Sequence, residues 1–169
     1  MLSKYIIELV MRLKELRGVI AMSHKEKAVE YYNKNFNCSQ GVFTAFATEM
    51  GMDEKLALKL ATNFGGGERK GELCGAVAGA LMVLGLRCGH CESEDVEGKT
   101  KAYAVSSEFM NLFMEKNGSV VCRELLGYDL TKKEDMAIIQ EQNLFRTLCP
   151  KMVESAAQIL DEMIAEGIC

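Results

Sequence analysis

From residue 23 to residue 167, apolar side chains recur at every third or fourth position in runs of helical length, separated by capping residues and glycines. This period is that of amphipathic helices. Ser23, followed by Glu26, forms a capping box for a helix to about Asn35, and Asn37 with Gln40 repeats the device for a helix ending near Gly51. Asp53 opens a third helix, which stops at Gly65, Gly66 and Gly67. Small residues predict a helix from about Leu73 to Leu86, and the polar stretch RCGHCESEDVEG after it has no apolar period and reads as a loop. A long helix follows from about Val96 to Lys116, with Gly118 as its stop. Ser119 starts a short helix toward Leu126. Thr131 with Glu134 caps another to about Leu148, and Pro150 opens the last, which ends near Gly167. No internal repeat and no alternation of strand type longer than four residues interrupts this series. The expected fold is all-α, a single-domain bundle of six to eight helices with Phe36, Phe43, Phe46, Phe64, Phe109, Phe113 and Tyr103 in its core.

Residues 1–22 stand apart. Met22-Ser23-His24-Lys25 reads as a second translational start directly before the first capping box, so a division into an extension, 1–22, and a helical domain, 23–169, is expected. Ile6, Leu9, Leu13 and Leu16 share one helical face, while Glu8, Arg12, Lys14, Glu15 and Arg17 interrupt any span of the roughly 20 apolar residues a membrane crossing needs. An amphipathic helix packed on this or a partner subunit is the reading, with no transmembrane segment.

Composition agrees with this class. The 169 residues are 49% apolar, enough for one core, with a single proline and no tryptophan. A net charge of −4 without a basic block argues against nucleic acid as a partner. Seven cysteines is a high and odd number, and no secretory signal pattern precedes them, so a cytoplasmic chain with mostly reduced thiols is expected.

The cysteines carry the candidate chemistry. Cys38 follows a predicted cap, Cys74 and Cys122 fall in the first turns of predicted helices, and Cys149 directly precedes Pro150. A helix amino terminus presents free N–H groups and partial positive charge, which favours thiolate. Such sites suit a reactive dithiol, and they equally suit a metal or iron–sulfur cluster with thiolate ligands. Gly71, Gly75 and Gly79 recur at every fourth residue and lay a groove beside Cys74, for a packed backbone or for a cofactor, and Gly66 lies in a glycine run able to form an anion nest. That run lacks the Lys-Ser/Thr of a P-loop, and neither GxGxxG nor a nucleophile elbow occurs.

Taken in order, Asn37-Cys38-Ser39-Gln40, Phe64-Gly65-Gly66-Gly67, Gly71 with Cys74-Gly75-Ala76-Val77-Ala78-Gly79, the stretch from Gly118 to Gly127 and Cys149 resemble the C_GCAxxG_C_C family of redox-active proteins, over about residues 25–163. The resemblance implies a helical protein with four functional cysteines, here Cys38, Cys74, Cys122 and Cys149. A further likeness of that family to the amino-terminal part of split-Soret cytochromes implies an iron–sulfur alternative. Covalent haem is not expected, because Cys88-Gly89-His90-Cys91 is followed by Glu92 rather than forming CxxCH. This CGHC shares its letters with protein disulfide isomerases but lies in an acidic loop outside any βαβ setting. It reads as an independent dithiol, a metal-binding pair or an incidental pair, and Cys169 as a free thiol.

The leading expectation is therefore thiol–disulfide exchange at the four-cysteine site with an unknown redox partner. The alternatives are an iron–sulfur or other metal-binding electron-transfer protein, and a structural zinc-binding or helical interaction protein. Acyl transfer with Cys74 as nucleophile is poorly supported, since neither His24 nor His90 lies on its predicted element. A homodimer packed through the glycine stripe or the amino-terminal helix is a further expectation.

Overall fold

The computed structural model describes residues 22–169, so the helix expected within residues 1–22 lies outside the described residues. Four of the described helices open on a side-chain cap. Helix α1 (His24–Asn33) begins with the reciprocal Ser23–Glu26 capping box. Helix α2 (Cys38–Ala47) begins with the same device between Asn37 and Gln40, and α3 (Glu54–Ala61) with the Asp53 side chain accepting from Leu56 N–H. After a single 3₁₀ turn at Thr62–Phe64 the chain passes through a tight turn into α4 (Gly75–Cys88). Helix α5 (Val96–Asn117) stops at Gly118, whose φ of 90° only glycine adopts freely. The short α6 (Cys122–Leu126) follows, then α7 (Lys133–Glu141), α8 (Leu144–Thr147) and α9 (Cys149–Ala165).

Helix α2 is the centre of the bundle, buried from Ser39 to Ala47 and packed against α1, α3, α4 and α9. Two of its polar side chains are paired: Ser39 Oγ donates to the Ala61 carbonyl at 2.7 Å, and Gln40 Nε2 to the Leu58 carbonyl at 2.9 Å, while the buried Thr44 hydroxyl has no partner among the described residues. The glycine stripe explains how α4 approaches so closely. A methyl group at Gly79 would stand 2.7 Å from the Ser39 carbonyl oxygen, and one at Gly75 2.9 Å from that of Phe64. The groove is filled by α2 and its neighbours. Gly71 lies outside this stripe, in the preceding turn at φ 72°.

Apolar burial divides into two clusters. The larger gathers α1 to α5 and α9 around Phe43, Phe109, Phe113 and Leu160, and the smaller holds Cys122, Leu126, Leu130, Ile139 and Cys149. Tyr32 and Cys38 touch both. Phe64 and Tyr103, expected in the core, are instead 38% and 64% exposed.

Three further expectations are corrected. The helix from Thr131 to Leu148 is two helices, broken at Asn143, whose φ is 54°. Thr131 does not cap it, because its hydroxyl donates to Asp129 Oδ1 at 2.7 Å. Cys169 is not free: it forms a disulfide with Cys88 across 81 residues, which leaves Cys91 alone and exposed in the CGHC loop. Among the described residues no helix is long and apolar enough to cross a membrane, and the only β-type pairing is one isolated antiparallel bridge, Leu73 with Val121.

Candidate functional site

The four helix-start cysteines meet. Cys38, Cys74, Cys122 and Cys149 all line one pocket of about 360 Å³, at the seam between the two apolar clusters. Local structure places each one. Cys38, Cys122 and Cys149 are the first residues of α2, α6 and α9, and Cys74 is the residue that caps α4. The bridge beside them fixes two of the four relative to each other: Cys74 N–H donates to the Val120 carbonyl at 2.8 Å and Cys122 N–H to that of Glu72 at 2.6 Å. Gly75 and Gly66 line the same pocket, whereas Gly79 packs against Ser39 and Val42.

Helix starts alone do not set the thiol acidities. Burial pushes Cys74 up to about 11, against two backbone N–H donors, Ala76 and Val77, that favour its thiolate. Burial likewise pushes Cys122 up to about 12, and the neighbouring sulfurs Cys74 and Cys149 add to it, while Arg69 opposes. Cys149 runs the other way. The neighbouring Cys38 thiol, and after it the Tyr32 hydroxyl, hold its pKa below the ordinary thiol value in spite of burial. The Cys149 sulfur beside it, and then burial, raise the pKa of Cys38. One sulfur is thus disposed to be thiolate, and a second, in contact with it, stays protonated.

Tyr32 is the residue the sequence pattern did not single out. It sits in the last turn of α1, and its hydroxyl donates to the Phe145 carbonyl at 2.6 Å beside the Cys149 sulfur. Burial first, then the adjacent sulfurs, push its pKa far up, so it remains a proton donor. No sequence spacing links Tyr32 to Cys149, 117 positions away; packing of α1 against α9 does.

The pocket's mouth is built from unusual backbone. Asn35, Glu68, Arg69 and Asn143 are the non-glycine residues with positive φ among those described, at 71°, 50°, 63° and 54°. Asn35 and Arg69 line the pocket, Glu68 adjoins Arg69, and Asn143 opens α8, whose Phe145 and Arg146 line it too. Left-handed conformation costs a non-glycine residue about 1 kcal/mol or more. Gly66 and Gly67, at φ 66° and 57°, complete a left-handed turn with Glu68 and Arg69. At Gly67 a side chain would stand 2.4 Å from the Glu72 nitrogen.

The metal expectations meet a narrower result. Among the described residues no three His, Cys, Asp or Glu side chains are arranged to hold a metal ion. The four site thiols as they stand therefore do not fit a single zinc ion, and Cys88 is engaged by Cys169 rather than paired with Cys91.

An all-α bundle with four cysteines opening helices around one pocket defines a class of helical multi-thiol protein. The chain belongs to the C_GCAxxG_C_C family, described as "Putative redox-active protein (C_GCAxxG_C_C)", whose model matches residues 36–163. No curated protein and no solved structure matches it.

Proposed function

We propose that the protein carries out thiol–disulfide exchange with Cys149 as the attacking thiolate and Cys38 as the resolving thiol. What supports this reading is the neighbourhood of Cys38 and Cys149 in one pocket, where Cys149 is the thiol whose acidity is raised and Cys38 the partner that stays protonated. Thiolate is the nucleophile in exchange. The Cys149 sulfur attacks a substrate disulfide, forming one S–S bond as the substrate's own breaks, and the released sulfur leaves with the electron pair and takes up a proton. Cys38 then loses its proton and attacks the Cys149 sulfur, which forms the Cys38–Cys149 disulfide and releases the second substrate thiol. An external dithiol restores the reduced pair. Tyr32 lies beside Cys149, favours its thiolate and is a positioning residue in this scheme.

Family membership supports the redox class and leaves the chemistry open. Convergence of four thiols on one pocket also favours the iron–sulfur alternative, in which Cys38, Cys74, Cys122 and Cys149 would be ligands and the cluster would carry single electrons. A cytoplasmic setting suits the four reduced site thiols; the Cys88–Cys169 disulfide suits an oxidising compartment better.

One preparation separates these readings. Protein purified without oxygen is expected to be colourless and iron-free and to lose two accessible thiols on reaction with one equivalent of a small disulfide. Broad visible absorption with iron and inorganic sulfide would replace exchange by the cluster.

A further inference from the structure

The thiol pocket has a charge character opposite to that of the whole chain. Two guanidinium groups, Arg69 and Arg146, line it, and none of its lining residues is Asp or Glu, although the chain carries a net charge of −4. Both arginines are exposed while Cys74, Cys122 and Cys149 are buried, so the cations stand at the mouth and sulfur lies on the floor. Neither forms an ion pair with a carboxylate among the described residues.

Each cation is held by backbone that is costly to make. Arg69 itself occupies a left-handed position. Arg146 Nη2 donates to Asn35 Oδ1 at 3.1 Å, and Asn35 is left-handed as well. Acids close in sequence to the pocket residues have other partners. Arg123 pairs with Glu72, and Glu124 accepts from Ser119. Glu68 adjoins Arg69 in the turn, acts on Cys74 and Cys122 by its charge, and does not line the pocket. Phe36, Phe145, Leu125 and Met152 give the pocket apolar lining.

Resting on the exchange reading above, we infer that the substrate is a small disulfide bearing carboxylate groups, which Arg69 and Arg146 bind at the mouth while its S–S bond reaches Cys149. Guanidinium groups recognise carboxylate through paired N–H donors, and a partly desolvated pocket strengthens that attraction. A volume of about 360 Å³ admits a small molecule and not a folded protein loop with its flanks. Exchange then gives two carboxylate-bearing thiols and the Cys38–Cys149 disulfide, with electrons balanced as written above.

The test compares three disulfides of similar size in the full chain: dithiodiglycolate, with two negative charges, neutral hydroxyethyl disulfide, and doubly positive cystamine. Each rate of Cys38–Cys149 formation is divided by the rate of the same disulfide with dithiothreitol, which removes intrinsic reactivity. The expected order is dithiodiglycolate, hydroxyethyl disulfide, cystamine, with at least a tenfold step between the first two that shrinks as salt is raised. Arg69→Gln and Arg146→Gln each lower that step, the double variant brings it to about one, and Arg69→Lys retains part of it. Equal normalised rates for all three disulfides, with Cys149 still oxidised, overturn the inference and leave the exchange reading standing. Failure of every disulfide to oxidise Cys149 overturns both.

Discussion

Cys38, first residue of α2, and Cys149, first residue of α9, line one pocket, where each shifts the other's acidity in the opposite direction. Two helix starts more than a hundred residues apart thus form one coupled thiol pair. The division of labour between them makes specific demands on variants. Cys149→Ser is expected to lose reduction of small disulfides. Cys38→Ser is expected to stall at a mixed disulfide on Cys149, seen by intact mass as the protein plus one substrate half. A Cys38→Ser protein that turns over normally would remove Cys38 from the resolving role.

Tyr32 contributes through its hydroxyl. Tyr32→Phe removes a polar neighbour that favours the Cys149 thiolate and is expected to slow alkylation of Cys149 by iodoacetamide at neutral pH. The midpoint of its pH profile should move upward, because the neighbouring hydroxyl enhances Cys149's acidity. At pH well above the midpoint the two proteins should alkylate at equal rates. A uniform loss at all pH values would instead indicate disturbed packing.

Cys74 and Cys122 link stability to alkaline pH. Their folded-state values, about 11 and about 12, lie above the ordinary 9.0. Between these limits the unfolded chain binds fewer protons than the folded one, so stability is full below pH 9 and declines as pH rises through the folded values. For Cys74 the loss amounts to about 2 to 3 kcal/mol. Urea unfolding at pH 8 and pH 10.5 should show the decline, and Cys74→Ala should reduce it.

Helix packing at the glycine stripe is strict at one end and loose at the other. Gly79→Ala places a methyl group 2.7 Å from the Ser39 carbonyl and is expected to destabilise by about 1 to 3 kcal/mol. Gly85, four residues before Gly89 and with nothing within 4 Å of an added methyl, is a contrast on the same helix. Gly85→Ala should stabilise by about 0.5 to 1 kcal/mol. Thermal unfolding of both variants decides the point.

Much of the framework was legible in local sequence because its causes are local. The Ser23–Glu26 and Asn37–Gln40 boxes, the Asp53 cap and the Gly118 stop each depend on residues within one turn. Where a local rule failed, a neighbour had taken its donor or broken its helix: Asp129 engages Thr131, and Asn143 turns left-handed. The positions of the four site thiols at helix starts were also readable, and their convergence is tertiary. Tyr32, Arg69 and Arg146 carry no spacing signal relative to the cysteines and reach the pocket only through packing of α1, the left-handed turn and α8. The helix-start rule favours thiolate at all four cysteines alike, but burial outweighs it at Cys74 and Cys122, and neighbouring side chains set Cys38 and Cys149 apart.

The Cys88–Cys169 disulfide closes a loop of 81 residues and ties the carboxyl end to α4, where Arg87 Nε also donates to the Cys169 carbonyl at 3.1 Å. Cys169→Ser should therefore destabilise the oxidised protein by about 2 to 4 kcal/mol. The difference should vanish in dithiothreitol.

The identity of the first disulfide formed at the site is the most direct measurement. Reduced protein is given one equivalent of dithiodiglycolate, quenched with an alkylating agent and mapped by mass spectrometry without reduction. A Cys38–Cys149 linkage, with Cys74 and Cys122 alkylated, is the result predicted here. A Cys74–Cys122 linkage, with Cys149 alkylated, would contradict it.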